Sequence, residues 1–100
     1  ETIVRLRVPL MMVVISNASY GWIKAGQKTG FGGRYFSVDF SRTDHALVAE
    51  AFGVKAFKVE KPENLTSAFA AAAEYGGPAL VDVISQPLQD ARAPVSEWVA

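Results

Sequence analysis

Hydrophobic positions along this chain follow two rhythms. Residues 10–16 (LMMVVIS) form an apolar run that stops at Ser16. The run is short and does not alternate, which fits a parallel strand covered on both faces. Residues 54–60 alternate around Phe57 and Val59, and 79–85 form a second apolar run. Strands are therefore expected at 10–15, 54–60 and 79–84. Helical signals lie between them. Ile3, Val4 and Leu6, interleaved with Arg5 and Arg7, fit a helix end, where basic residues suit the C-terminal dipole, and Pro9 stops it. Trp22, Ile23 and Ala25 predict a helix at 20–28 that starts near Ala18 or Ser19 and fails near Gly26 or Gly30. Thr43 or Asp44 caps a third helix at 44–52, ended by Gly53. Pro62 opens a fourth at 62–75, with Leu65, Ala68, Phe69, Ala72 and Ala73 on one stripe and Gly76-Gly77-Pro78 at its end. Strands alternating with helices imply right-handed crossovers and an α/β fold, a parallel sheet in an αβα three-layer arrangement.

Two stretches lack either rhythm. Residues 29–41 (TGFGGRYFSVDFS) are rich in glycine and aromatics and read as a loop. Unstructured loops of about 12 residues are uncommon and often functional. Residues 87–100 contain Pro87 and Pro94 and read as an extended polar tail ending on Trp98 and Val99.

Composition narrows the choice of function. One hundred residues allow one domain at most, and half of them are hydrophobic. The formal net charge is zero, so no basic excess is present for nucleic acid or a membrane surface. No cysteine is present, which excludes disulfides and thiolate metal sites. No apolar run approaches the roughly 18 residues of a transmembrane helix, and no signal peptide is visible. The cytoplasm is the simplest compartment. Glu1 opens the chain inside a helical pattern, so the sequence reads as a piece of a longer one.

Candidate chemistry centres on Asn17. In open α/β sheets ligands sit at the carboxyl ends of strands. An amide oxygen there can ligate a hard cation such as Mg²⁺ without adding charge. An Asn after a strand also makes turns or caps helices. Tyr20 and Trp22 flank the segment, either as packed aromatics or as site walls. His45 is the single histidine, in the first turn of a helix beside Asp44. A catalytic base needs a positioned partner and a cleft, so an exposed, non-catalytic His45 is expected. Gly30, Gly32 and Gly33 match neither GxGxxG nor Walker A. Arg34 and Tyr35 are weak substrate-side candidates.

The segment from Met12 to Trp22 (MVVISNASYGW) resembles the second half of the thiamine-diphosphate motif, a GDG, a spacer and a strand ending in NN. Ser16 departs from the first Asn and Asn17 keeps the second. Gly21-Trp22-Ile23 fits the helix after that loop. Asp44 to Gly53 (DHALVAEAFG) resembles the family's D-x-x-x-x-A-x-A-F-G helix, Lys61 to Leu65 (KPENL) its D-P-E-E-L helix start, and Gly77 to Val83 (GPALVDV) its last strand. The order and spacing extend over nearly the whole chain.

The resemblance implies the second half of a thiamine-diphosphate-binding, flavodoxin-like half-domain at 1–86, of the acetolactate synthase and 2-oxo acid decarboxylase type. It implies thiamine diphosphate and Mg²⁺ as cofactors. The Asn17 side chain and the Ser19 carbonyl are the expected metal ligands, 17–21 (Asn17, Ala18, Ser19, Tyr20, Gly21) the cofactor contacts, and Trp22 a substrate-channel residue. It further implies oligomers and partner domains that supply the GDG aspartate and the activating glutamate, so the 100 residues alone are not expected to be active. A non-catalytic α/β interaction module is the alternative, and a flavodoxin-like nucleotide binder a weaker third reading.

Overall fold

The computed structural model describes residues 1–90. Trp98, Val99 and the rest of the expected tail beyond residue 90 lie outside the described residues. The chain forms two compact units, one from 1–16 and 44–85, the other from 17–43 and, among the described residues, 86–90.

The first unit is built on a parallel sheet of β1 (Met11–Ser16), β2 (Lys55–Val59) and β3 (Ala79–Ile84), in the order β1-β3-β2. All three strands lie where the hydrophobic rhythm places them, within a residue at each end. Helices α1 (Thr2–Arg5), α3 (His45–Ala51) and α4 (Leu65–Glu74) complete the unit. A 3₁₀ turn at Pro62–Asn64 leads into α4, so the predicted 62–75 helix is two pieces.

Register sorts the side chains into two faces. Met12, Leu80 and Ala56 align across the sheet, as do Val14, Asp82 and Lys58. On that face Ile3 and Val4 of α1 and Ala49 of α3 pack with Val54 and Leu80. On the opposite face Ala68, Phe69 and Ala72 of α4 pack with Phe57, Val59, Ala79 and Val81. This is the expected α/β three-layer arrangement. Val81 and Ala79 on the central strand are fully buried.

One expectation fails. β1 is an edge strand rather than one covered on both faces: Met11, Val13 and Ile15 are exposed, Ile15 at 60%. The physical reason is reach, because α4 packs over β3 and β2 and leaves these side chains of β1 uncovered.

Asp44 is the N-cap of α3. Its carboxylate accepts from the Leu47 N–H at 3.0 Å and from Lys58 Nζ at 2.9 Å. The Leu47 N–H, seconded by the Lys58 ammonium, holds the Asp44 carboxyl below its ordinary value. The stabilisation is present above the unfolded carboxylate's value near ~3.9 and is lost as pH falls through the lower folded value. Asp44→Asn, which keeps a cap acceptor, should lower the melting temperature less than Asp44→Ala, and both should flatten the acid limb of stability followed by circular dichroism.

The second unit contains α2 (Gly21–Gly30), with Tyr20 as N-cap. The 31–43 stretch has no regular helix or strand but is pinned along its length. Tyr20 N–H donates to the Val38 carbonyl and Phe40 N–H to the Ala18 carbonyl, an isolated antiparallel bridge. Gln27 clamps Phe36, donating to its carbonyl at 3.1 Å and accepting from its N–H at 2.8 Å. Side chains of α2 thus hold the loop by its Phe36 backbone and by Asp39, while Phe31, Phe36 and Phe40 stay exposed.

Candidate functional site

Asn17 follows directly on the last residue of β1, and 17–21 form a tight turn into α2. The Asn17 Oδ1 accepts the Ser19 N–H at 3.1 Å, closing an Asx turn. Ala18 takes a left-handed φ of 53°, a conformation that is costly for a residue with a Cβ and that clusters at functional turns. An amide oxygen has two lone pairs, so Oδ1 keeps one for a further partner. The turn reading and the ligand reading of Asn17 are therefore compatible.

Ser19 is buried, and its Oγ has no hydrogen-bond partner among the described residues. Such orphaned hydroxyls are uncommon and need an explanation. A cavity of about 140 Å³ opens beside the turn, lined by Asn17, Gly21, Trp22, Ala25, Leu88 and Gln89. Trp22 is 70% exposed on its wall, so it is not a core aromatic. Tyr20 packs its ring on Phe40 at 5.0 Å between centroids. Arg34 Nε donates to the Phe31 carbonyl, and the Tyr35 ring lies 5.1 Å from the Lys24 ammonium. Neither brings a polar group to the Asn17 cavity.

The oxygens of the turn are neutral, an amide, backbone carbonyls and a buried hydroxyl, and of their side chains only that of Asn17 lines the cavity. No group of three or more His, Asp or Glu side chains able to hold a metal exists among the described residues. These atoms fit the neutral-oxygen half of a Mg²⁺–phosphate site and leave the carboxylate half to other residues, since Mg²⁺ is ordinarily held by one or two carboxylates with substrate phosphates.

Residues 1–83 match the family described as thiamine pyrophosphate enzyme, C-terminal TPP binding domain. The chain belongs to this family. It is 34% identical over 83 residues to the acetolactate synthase large subunit of Pyropia yezoensis, 31% over 83 to the acetolactate synthase of Bacillus subtilis (strain 168), and 32% over 85 to the pyruvate oxidase of Lactiplantibacillus plantarum. These alignments take in 81–83% of this chain and 14% of each relative. The chain thus spans about one-seventh of the length of the curated relatives it matches. No helix among the described residues is long and apolar enough to cross a membrane.

A second polar cluster went unrecognised in the sequence. Asp82 sits on the central strand, fully buried, and its Oδ1 accepts the Ser16 hydroxyl at 2.5 Å. His45 Nδ1 lies 2.9 Å from Ser16 Oγ and 3.7 Å from Asp82 Oδ1. His45 is therefore half-buried and partnered, not a free surface histidine. The available signal was Asp82 itself, a charged residue inside an otherwise apolar strand (ALVDVI).

Proposed function

We propose that this chain is the C-terminal part of the cofactor-binding domain of a thiamine-diphosphate- and Mg²⁺-dependent enzyme that decarboxylates a 2-oxo acid, transfers the resulting acyl unit, or does both. The observation that carries the reading is the 17–21 turn, where an Asx-closed Asn17 and an orphaned Ser19 hydroxyl precede a 10-residue helix. Residues 1–86 belong to the cofactor domain and 87–100 to a tail. The chain acts in the cytoplasm as part of a homo-oligomer, together with the other domains of its parent.

The cofactor, when bound, supplies the electron sink that such decarboxylations need. This chain's residues bind and orient. Asn17 Oδ1 and the Ser19 carbonyl are the two neutral ligands to Mg²⁺. The backbone N–H groups that open α2 would hold phosphate oxygens of the bound cofactor, a role helix N-termini perform through unpaired donors and the dipole. Ala18, Tyr20 and Gly21 shape that cradle, and Trp22 borders the substrate. No carboxylate of the turn completes the metal site, so the GDG aspartate and the activating glutamate come from elsewhere in the parent.

The alternative, an interaction module without cofactor, draws support from the uncovered face of β1. Incubating the full-length protein with pyruvate, thiamine diphosphate and Mg²⁺ separates the two. Carbon dioxide release is expected, and the co-product then distinguishes carboligation from simple decarboxylation. A protein that binds the cofactor to no extent and releases no carbon dioxide from any 2-oxo acid would be the module.

A further inference from the structure

We propose that Asp82 is a positioning residue for His45. Acting through the Ser16 hydroxyl, it fixes the proton of the neutral imidazole on Nδ1 and leaves Nε2 as the basic nitrogen. The argument is a count of hydrogens. An ionised Asp82 carboxylate can only accept, and the Ser16 hydroxyl then gives its single hydrogen to Oδ1. At 2.9 Å from the same oxygen, His45 Nδ1 must then be the donor. The tautomer of a histidine is set by the bond its other nitrogen makes.

The charged groups around the cluster leave this task to His45. Lys58 of β2 is the register partner of Asp82 on the same face, but its ammonium is bound to Asp44 at 2.9 Å, with Glu60 at 3.9 Å. Asp82 Oδ2 has no hydrogen-bond partner among the described residues. The backbone fixes both ends of the relay. Ser16 closes β1, where its carbonyl accepts the Ser85 N–H, and His45 is the first residue of the capped helix α3. Its ring also lines a cavity of about 260 Å³, shared with the charged Glu1 and walled by Met12, Val14, Val48, Phe52 and Leu80. A base needs a positioned partner and a cleft, and His45 has both. The arrangement differs from a Ser–His–Asp hydrolase, because the serine, not the histidine, is the central member and it is buried. Ser16 here orients a base and is not a nucleophile.

With one histidine in the chain, the signal needs no assignment. Long-range ¹H–¹⁵N correlation spectra of the ¹⁵N-histidine protein, taken where the imidazole is neutral, report which nitrogen is protonated. The wild type and Ser16→Thr, which keeps the hydroxyl, are expected to show a pyrrole-type Nδ1 and a pyridine-type Nε2. Ser16→Ala and Asp82→Leu are expected to exchange the two. The second variant replaces a buried carboxylate by an apolar group of similar volume, a change that usually leaves a protein folded. A pyridine-type Nδ1 in the wild type would overturn the assignment, as would an unchanged pattern in both relay variants.

Discussion

In the full-length protein, on the proposed function, Asn17→Ala is expected to weaken Mg²⁺-dependent thiamine diphosphate binding by about 100-fold, the upper end of what loss of a supporting group costs a metal site. The substitution removes the acceptor that closes the Asx turn on the Ser19 N–H and, on the proposed function, an oxygen ligand as well. On that proposal two effects add: the metal would lose a neutral ligand, and the Ser19 carbonyl would lose the turn that aims it. Asn17→Asp separates them, since a carboxylate still closes the turn and still ligates, and it should retain most of the affinity. His45→Ala should leave cofactor affinity nearly unchanged, because His45 belongs to the Ser16–Asp82 cluster and not to the turn. Equal affinity in wild type and Asn17→Ala would reduce Asn17 to a turn residue.

The second large effect concerns Lys24. This lysine is only 6% exposed, and its ammonium donates to Asp39 at 3.0 and 3.3 Å, with Asp90 at 3.8 Å. Lys24→Ala should cost about 2–4 kcal/mol, through the cavity left by the stem and the lost charge-assisted bond. Lys24→Met keeps the stem and should cost about 1 kcal/mol, because Asp39 and Asp90 are more than half exposed and rehydrate. The hydrogen bond to Asp39, opposed by burial and helped by Asp90, raises the Lys24 value. A raised value contributes stability that is complete below the unfolded lysine's ~10.4 and disappears as pH rises through the folded value. Urea titrations between about pH 8 and 11.5 should therefore show a larger alkaline loss of stability in the wild type than in Lys24→Met, which keeps only the share from the raised Lys58. The same pair ties α2 to the 31–43 loop, so the variant should also speed proteolysis within that loop.

The strands were legible because burial imposes apolar runs and alternation on the order of residues, and Gly53 and the Gly76-Gly77-Pro78 step marked two helix ends without ambiguity. Gly53 sits at φ +81°, where a Cβ would also press on Val4, so only glycine suits it. The exposure of one face of β1 was not legible, since an apolar run says that a strand wants cover on both sides and not whether the cover is present. The order of 31–43 escaped because its anchors, Gln27 to Phe36 and Lys24 to Asp39, are side-chain bonds from a neighbouring helix with no local signature. Asn17 could be found from strand-end chemistry, but its weight came from the surrounding family pattern. His45 was judged by its own helix turn, and its partners stand 29 and 37 residues away on β1 and β3. Long-range polar contacts of this kind depend on register, which single residues do not encode.

On the proposed function this chain holds half of a thiamine diphosphate site. That proposal is tested most directly by titrating the cofactor, with and without Mg²⁺, into the full-length protein and into the 100-residue chain by calorimetry. Saturable, Mg²⁺-dependent heat is expected in the full-length protein and little or none in the chain, where the two proposed neutral ligands have no carboxylate beside them. Tight Mg²⁺-dependent binding to the chain alone, or none to the full-length protein, would contradict it.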